Sequence, residues 1–180
     1  LFRLALAPVM PLVALAAWAP PVLVACLVLG VLSDIFDGVI ARRLGVVTPA
    51  MRRLDSGTDV LFFLSAAWCL CRLHPEIVRQ HVWGLAALLA LEAICNLTSL
   101  ARFRRLPATH SYLAKFWGLC LLAAFVAGIG FGYGGWVMKG TIAVGVLADI
   151  EIIAIMLVSP TAPVDVPTLW HACQRRKLRT

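Results

Sequence analysis

Apolar residues run through this chain in long blocks, and most charged residues fall between the blocks or near their ends. Cutting the pattern at charge clusters and at Pro or Gly punctuation leaves six segments: approximately Leu1 to Trp18, Pro21 to Leu44, Pro49 to Leu73, His81 to Leu100, Ser111 to Phe131 and Trp136 to Val158. Several reach the roughly 20 residues with which an α-helix crosses a hydrocarbon core of about 30 Å. The pattern predicts an all-α, polytopic membrane protein with six transmembrane helices. Local chemistry sets each boundary. Ala19-Pro20-Pro21 makes a turn, Gly45 closes the second helix, and Thr48 caps a helix whose first position is Pro49. Ser111 caps the fifth segment, Gly132 to Gly135 supply a turn, and Ser159-Pro160 stops the sixth.

Composition agrees, with 62% hydrophobic and 14% charged residues, against roughly half and a quarter in soluble domains. Residues 1–160 are expected to form one membrane domain and residues 161–180 a basic tail. The apolar pattern is already running at Leu1, so the first helix is expected to be truncated at its N-terminus. Every Lys and Arg except Arg72, Arg79 and Lys139 falls on one side of the six-span plan. The positive-inside rule then puts both termini, and the loops after the second and fourth spans, in the cytoplasm. The net charge of +7 becomes a basic face for anionic lipid headgroups and phosphorylated substrates, rather than a nucleic-acid surface. The tryptophans lie mostly near span ends, as interface anchors do. The six scattered cysteines and four histidines have no metal-ligand spacing.

Four of the nine acidic residues lie within the second and third segments, where an ionised carboxylate costs at least about 2.5 kcal/mol at mid-membrane. Asp34 and Asp37 precede the end of the second helix by two to three turns, and Asp55 and Asp59 follow the start of the third by a similar distance. The four share a depth. Spacings of three and four put each pair on one side of its helix. Carboxylates converging in a low dielectric repel unless cations intervene. Hard oxygen donors suit Mg²⁺ or Mn²⁺, and two such ions balance four carboxylates. Interfacial salt bridges to Arg42, Arg43, Arg52 and Arg53 are the plainer alternative. Gly38 and Ala41 leave a recess on the face that carries Asp34.

The stretch Ser33-Asp34-Ile35-Phe36-Asp37-Gly38-Val39-Ile40-Ala41-Arg42, followed by Asp55 and Asp59, resembles the signature D-x2-D-G-x2-A-R-x8-G-x3-D-x3-D of the CDP-alcohol phosphatidyltransferase family, in its phosphatidylglycerophosphate synthase-like branch. Every spacing is kept, and Leu1 to Pro8 resembles the family's first membrane helix. The resemblance implies metal-dependent transfer of a phosphatidyl group from a CDP-lipid such as CDP-diacylglycerol to an alcohol, with release of CMP, in phospholipid biosynthesis. It implies that Asp34, Asp37, Asp55 and Asp59 hold Mg²⁺ or Mn²⁺. Asp59 would also be the general base, and Gly38, Ala41 and Arg42 would line the CDP site. A homodimer in a bacterial inner membrane, its active site facing the cytoplasm, follows by the same resemblance. One position departs: Met51 stands where the family has glycine close to the nucleotide, which implies a narrowed pocket or shifted specificity, or a weakened or inactive member.

Acceptor recognition is written less sharply. Arg102, Arg104, Arg105 and Lys115 flank the loop between the fourth and fifth spans, where they are candidates for binding an acceptor phosphate such as that of glycerol 3-phosphate. Positive-inside anchoring explains the three arginines equally well. Glu92 and Asp149 have two roles open, a pair between helices or contact with a dimer partner. An intramembrane prenyltransferase shares the taste for aspartates and Mg²⁺ but not the Gly38, Ala41 and Arg42 spacing. An ion transporter using the same carboxylates predicts ion flux without CMP release.

Overall fold

The computed structural model describes residues 2–16, 19–44, 49–105, 111–159, 161–163 and 166–177, with the side chains of 41–42, 49–56 and 175–177 outside the description. All regular structure among these residues is helical. The helices are α1 (Phe2–Val13), α2 (Ala19–Leu44), α3 (Pro49–Leu73), α4 (Pro75–Gln80), α5 (Val82–Phe103), α6 (Tyr112–Phe125), α7 (Trp136–Val158) and α8 (Leu169–Lys177); a π-helical turn, Val126–Gly130, continues α6. A helix occupies each of the six predicted segments. Four are long and apolar enough to cross a membrane: α2 over Ala19–Ile40, α5, α6 with its π turn over Tyr112–Gly130, and α7. The other two differ for separate reasons. α1 has only 12 residues, and the first half of the 25-residue α3 carries Arg52, Arg53, Asp55 and Asp59.

The chain divides into two compact units. The first holds residues 1–80 and 122–134, and its core is three helical stripes. On α1 the buried positions are Arg3, Ala7 and Met10, followed by Ala14 just past the helix. On α2, Leu23 and Leu27 are fully buried, and Gly30 and Asp34 continue their face at helical spacing. On α3 the stripe is Asp59, Phe62, Ala66 and Cys69, the last three fully buried. Each stripe is apolar along its length and ends in one charged residue. α1 packs against both α2 and α3.

Gly30 sets the register between α2 and α3. A Cβ added there would lie 2.5 Å from Phe62 Cζ and 2.8 Å from Cε2, so the ring occupies the space a side chain would take. In an antiparallel pair, moving one turn along α2 and three residues back along α3 brings Asp34 level with Asp59. The π turn closes the unit with the same device. Added Cβ atoms at Gly128 and Gly130 would come within 2.7 Å of Leu70 and 2.8 Å of Val24. Phe125 stacks on Phe63 at 6.1 Å between centroids. Beyond the turn, Gly132 takes φ +61°, and the Gly132 and Tyr133 N–H groups donate to the Gly128 and Ala127 carbonyls, ending the helix. At α4, outside the candidate spans, Glu76 is held below the usual carboxylate range by a hydrogen bond from its own backbone N–H and then by His74.

The second unit holds residues 81–121 and 135–180. Gly145 of α7 accepts the Leu88 side chain of α5 and the Trp117 ring of α6, each within 2.7 Å of where a Cβ would stand. Thr141 Oγ1 lies 3.0 Å from the Cys120 carbonyl and 2.9 Å from that of Val137. The tail folds back: Val166 and Ala172 are buried with Ile155 of α7, and the Tyr112 N–H donates to the Pro167 carbonyl at 3.0 Å.

Because Phe62 is fully buried, Gly30→Val is expected to destabilise the first unit by about 1–3 kcal/mol through overpacking. Thermal unfolding in lipid checks this, and Phe62→Ala in the same chain should restore part of the loss.

Candidate active site

The charged ends of the three stripes meet. The Arg3 guanidinium forms ion pairs with the carboxylates of both Asp34 and Asp59, Nη2 toward Asp34 Oδ1 and Nη1 toward Asp59 Oδ1. Three helices thus each contribute one charged group to a single cluster. The reason is local to each helix. Arg3 lies on the buried stripe of α1, where an isolated cation would be very costly. Asp34 and Asp59 lie on the stripes of α2 and α3 that α1 covers.

Exposure shows from which side the cluster is closed. The Arg3 side chain is 8% exposed, whereas those of Asp34 and Asp59 are each 40% exposed. The guanidinium approaches from inside the unit, and each aspartate side chain stays part-exposed. Asp59 Oδ1, the oxygen facing Arg3, is itself fully buried, so the exposure of this side chain belongs to its other atoms. Asp37, three residues beyond Asp34, is exposed, and Gly38 beside it is half-buried. The expected sites Ala41, Arg42, Met51 and Asp55 lie on the helical backbones of α2 and α3, with side chains outside the described residues.

Among the described residues no group of three or more His, Cys, Asp or Glu side chains is placed to hold a metal ion; the Asp55 side chain is not among them. The donors that are described fit a hard divalent ion. Asp34 and Asp59 come from different helices, supply carboxylate oxygens from part-exposed side chains, and converge on one positive group.

The sequence profile of the CDP-alcohol phosphatidyltransferase family matches residues 1–147 of the 180. The chain belongs to this family. No curated protein and no solved structure gives a significant match. As a CDP-alcohol phosphatidyltransferase family member it is a transferase of substituted phosphate groups in phospholipid biosynthesis, embedded in a membrane through apolar helices. The matched region contains the whole of the first unit, with Arg3, Asp34, Asp37, Asp55 and Asp59, and stops within α7.

The candidates for acceptor binding belong to the second unit. Arg102 donates from Nη1 to the Met156 and Leu157 carbonyls at 2.8 and 3.0 Å and from Nη2 to that of Ser159 at 3.5 Å, capping the C-terminus of α7. Arg104 caps α5 in a left-handed conformation, φ 54°, its N–H bonded to the Leu100 carbonyl. Arg105 is exposed, and its carbonyl accepts from Ser99 Oγ at 2.8 Å. Lys115 is exposed with its ammonium 5.8 Å from the Tyr112 ring centroid.

One residue was not legible as a site component from the sequence. Arg3 reads there as one of many basic residues near span ends; the signal that distinguishes it is its helical spacing with Ala7, Met10 and Ala14. In the second unit, Asp149 is 2% exposed on α7, which packs against α5, and Asn96 Nδ2 donates to Glu92 Oε1 at 2.9 Å. Asp149→Asn keeps the side-chain volume and is expected to change stability by less than about 1 kcal/mol, whereas Asp149→Ala opens a cavity at this buried position, at a cost of about 1–3 kcal/mol. Thermal denaturation of both variants in one lipid checks the contrast.

Proposed function

We propose that this chain transfers a phosphatidyl group from a CDP-linked lipid such as CDP-diacylglycerol to an alcohol, releasing CMP. The observation that carries the reading is the convergence of Asp34 and Asp59 on one cationic group inside a family signature that keeps every spacing and every residue but the glycine replaced by Met51. The full reading has six membrane-crossing helices, both termini and the aspartates on the cytoplasmic side of a bacterial inner membrane, and two copies associating as a homodimer. The distribution of Lys and Arg supports the orientation.

Asp34, Asp37, Asp55 and Asp59 would hold two Mg²⁺ or Mn²⁺ ions. Bound there, such ions polarise a diphosphate and stabilise the charge on the departing phosphate. The chain's own groups do the remaining tasks. Asp59, with Oδ1 fixed against Arg3, offers its other oxygen to the acceptor hydroxyl. The new bond joins the alcohol oxygen to the phosphorus of the phosphatidyl group as the bond from that phosphorus to CMP breaks, and the hydroxyl proton passes to Asp59. A carboxylate beside a guanidinium is a weak base, so the proton leaves the oxygen only as the P–O bond forms. Gly38, Ala41 and Arg42 line the CDP site, with Arg42 offering its fork to phosphate. Met51 narrows it. Arg104, Arg105 and Lys115 are the basic groups offered to an acceptor phosphate, which favours glycerol 3-phosphate. Arg102 is the least available of the set, because its guanidinium bonds α7 carbonyls.

Purified protein in lipid, given CDP-diacylglycerol, Mg²⁺ or Mn²⁺ and a panel of glycerol 3-phosphate, inositol phosphate, serine and an amino alcohol, is expected to release CMP with one acceptor only when the divalent ion is present. Folded protein that releases none with any acceptor removes the proposal. Asp59→Asn should lower turnover by about 100-fold or more while CDP-lipid binding persists. Met51→Gly should raise the rate or widen the donor range.

A further inference from the structure

The cation that Asp34 and Asp59 share is part of the chain. We propose that Arg3 is a permanent counter-ion of the active site, which divides these carboxylates with divalent ions and so sets both the metal affinity and the charge presented to the anionic donor. The inference rests on the transferase reading above and adds to it a positioning residue outside the aspartate signature.

Three observations carry it. Arg3 contacts carboxylates on two different helices at once, Asp34 of α2 and Asp59 of α3. It is 7% exposed and lies on the α1 stripe with Ala7 and Met10, so it cannot retreat into water as a surface arginine does. Its approach is from the buried side, and each carboxylate side chain stays 40% exposed. A guanidinium stays charged at every accessible pH. The positive charge is therefore a constant of the site.

Two consequences follow by electrostatics. A fixed positive group bonded to two metal-ligating carboxylates repels a divalent ion arriving on their other side, which weakens metal binding relative to the bare carboxylates. The same charge offsets one of the four negative charges that would otherwise oppose an incoming diphosphate, so it favours the donor. Arg3 trades metal affinity for donor affinity. In addition it orients Asp59 through Oδ1, acting on the reaction through that residue.

The test compares wild type, Arg3→Gln and Arg3→Lys as full chains in lipid vesicles, measuring Mn²⁺ affinity by the electron paramagnetic resonance of free Mn²⁺ and, separately, CMP release. Arg3→Gln is expected to bind Mn²⁺ about tenfold tighter than wild type and to raise the KM for CDP-diacylglycerol more than it lowers kcat. Arg3→Lys keeps the charge and should bind Mn²⁺ within about threefold of wild type. Unchanged or weaker Mn²⁺ binding in Arg3→Gln overturns the inference. Should that variant fail to fold, Asp34→Asn with Arg3→Gln is compared with Asp34→Asn alone; tighter Mn²⁺ binding in the double variant is expected, and equal binding overturns the idea. The Mn²⁺ comparison does not depend on turnover. Wild-type protein that binds Mn²⁺ without releasing CMP counts against the transferase reading and leaves the Arg3 comparison standing.

Discussion

A cation buried among helices must have a negative partner, and the first unit is arranged around meeting that demand for Arg3. Its partners are the part-exposed carboxylates of Asp34 on α2 and Asp59 on α3. Breaking a buried ion pair from one side costs about 3–5 kcal/mol, because the remaining charge is left uncompensated. The three groups are therefore interdependent: α1 needs the aspartates to bury Arg3, and α2 and α3 need α1 to neutralise theirs. The first helix is held by an apolar stripe and by two ion pairs.

Steric fit delivers the aspartates to the same level. Gly30 admits the Phe62 ring, and the antiparallel course of α2 and α3 carries that contact one turn along to Asp34 and Asp59. Lipid tails are as apolar as leucine, so apolarity alone does not choose one helix register over another; shape does. The same principle recurs at Gly128 and Gly130 in the π turn and at Gly145 in the second unit, each opposite a bulky side chain. Small residues locate the contacts, and the charged residues follow.

Backbone groups that water would otherwise satisfy explain much of the second unit. Arg102 covers the last carbonyls of α7, and Thr141 bonds a carbonyl of α6. In a low dielectric these groups cannot be left bare. The outcome changes the standing of Arg102, whose charge reads in sequence as a surface feature and whose guanidinium is engaged with main chain. Arg104, Arg105 and Lys115 keep their outward positions.

By itself the sequence determined the helical class, the six helical segments and, through a signature of fixed length, the family and its four aspartates. These are local properties: apolar length sets a helix in lipid, Pro and Gly set its ends, and spacings of three and four set a face. The α7 bounds, Trp136 to Val158, were legible to the residue. Only the tertiary structure decided which cation meets Asp34 and Asp59. Arg3 stands 31 residues before Asp34, and no local periodicity links them. Pairing with Arg42, Arg43, Arg52 and Arg53, the plainer alternative in the sequence, follows from nearness along the chain, and the side chains of Arg42, Arg52 and Arg53 lie outside the described residues. The observed partner follows from packing, because α1 lies against both α2 and α3, and a long-range contact depends on how three stripes fit together.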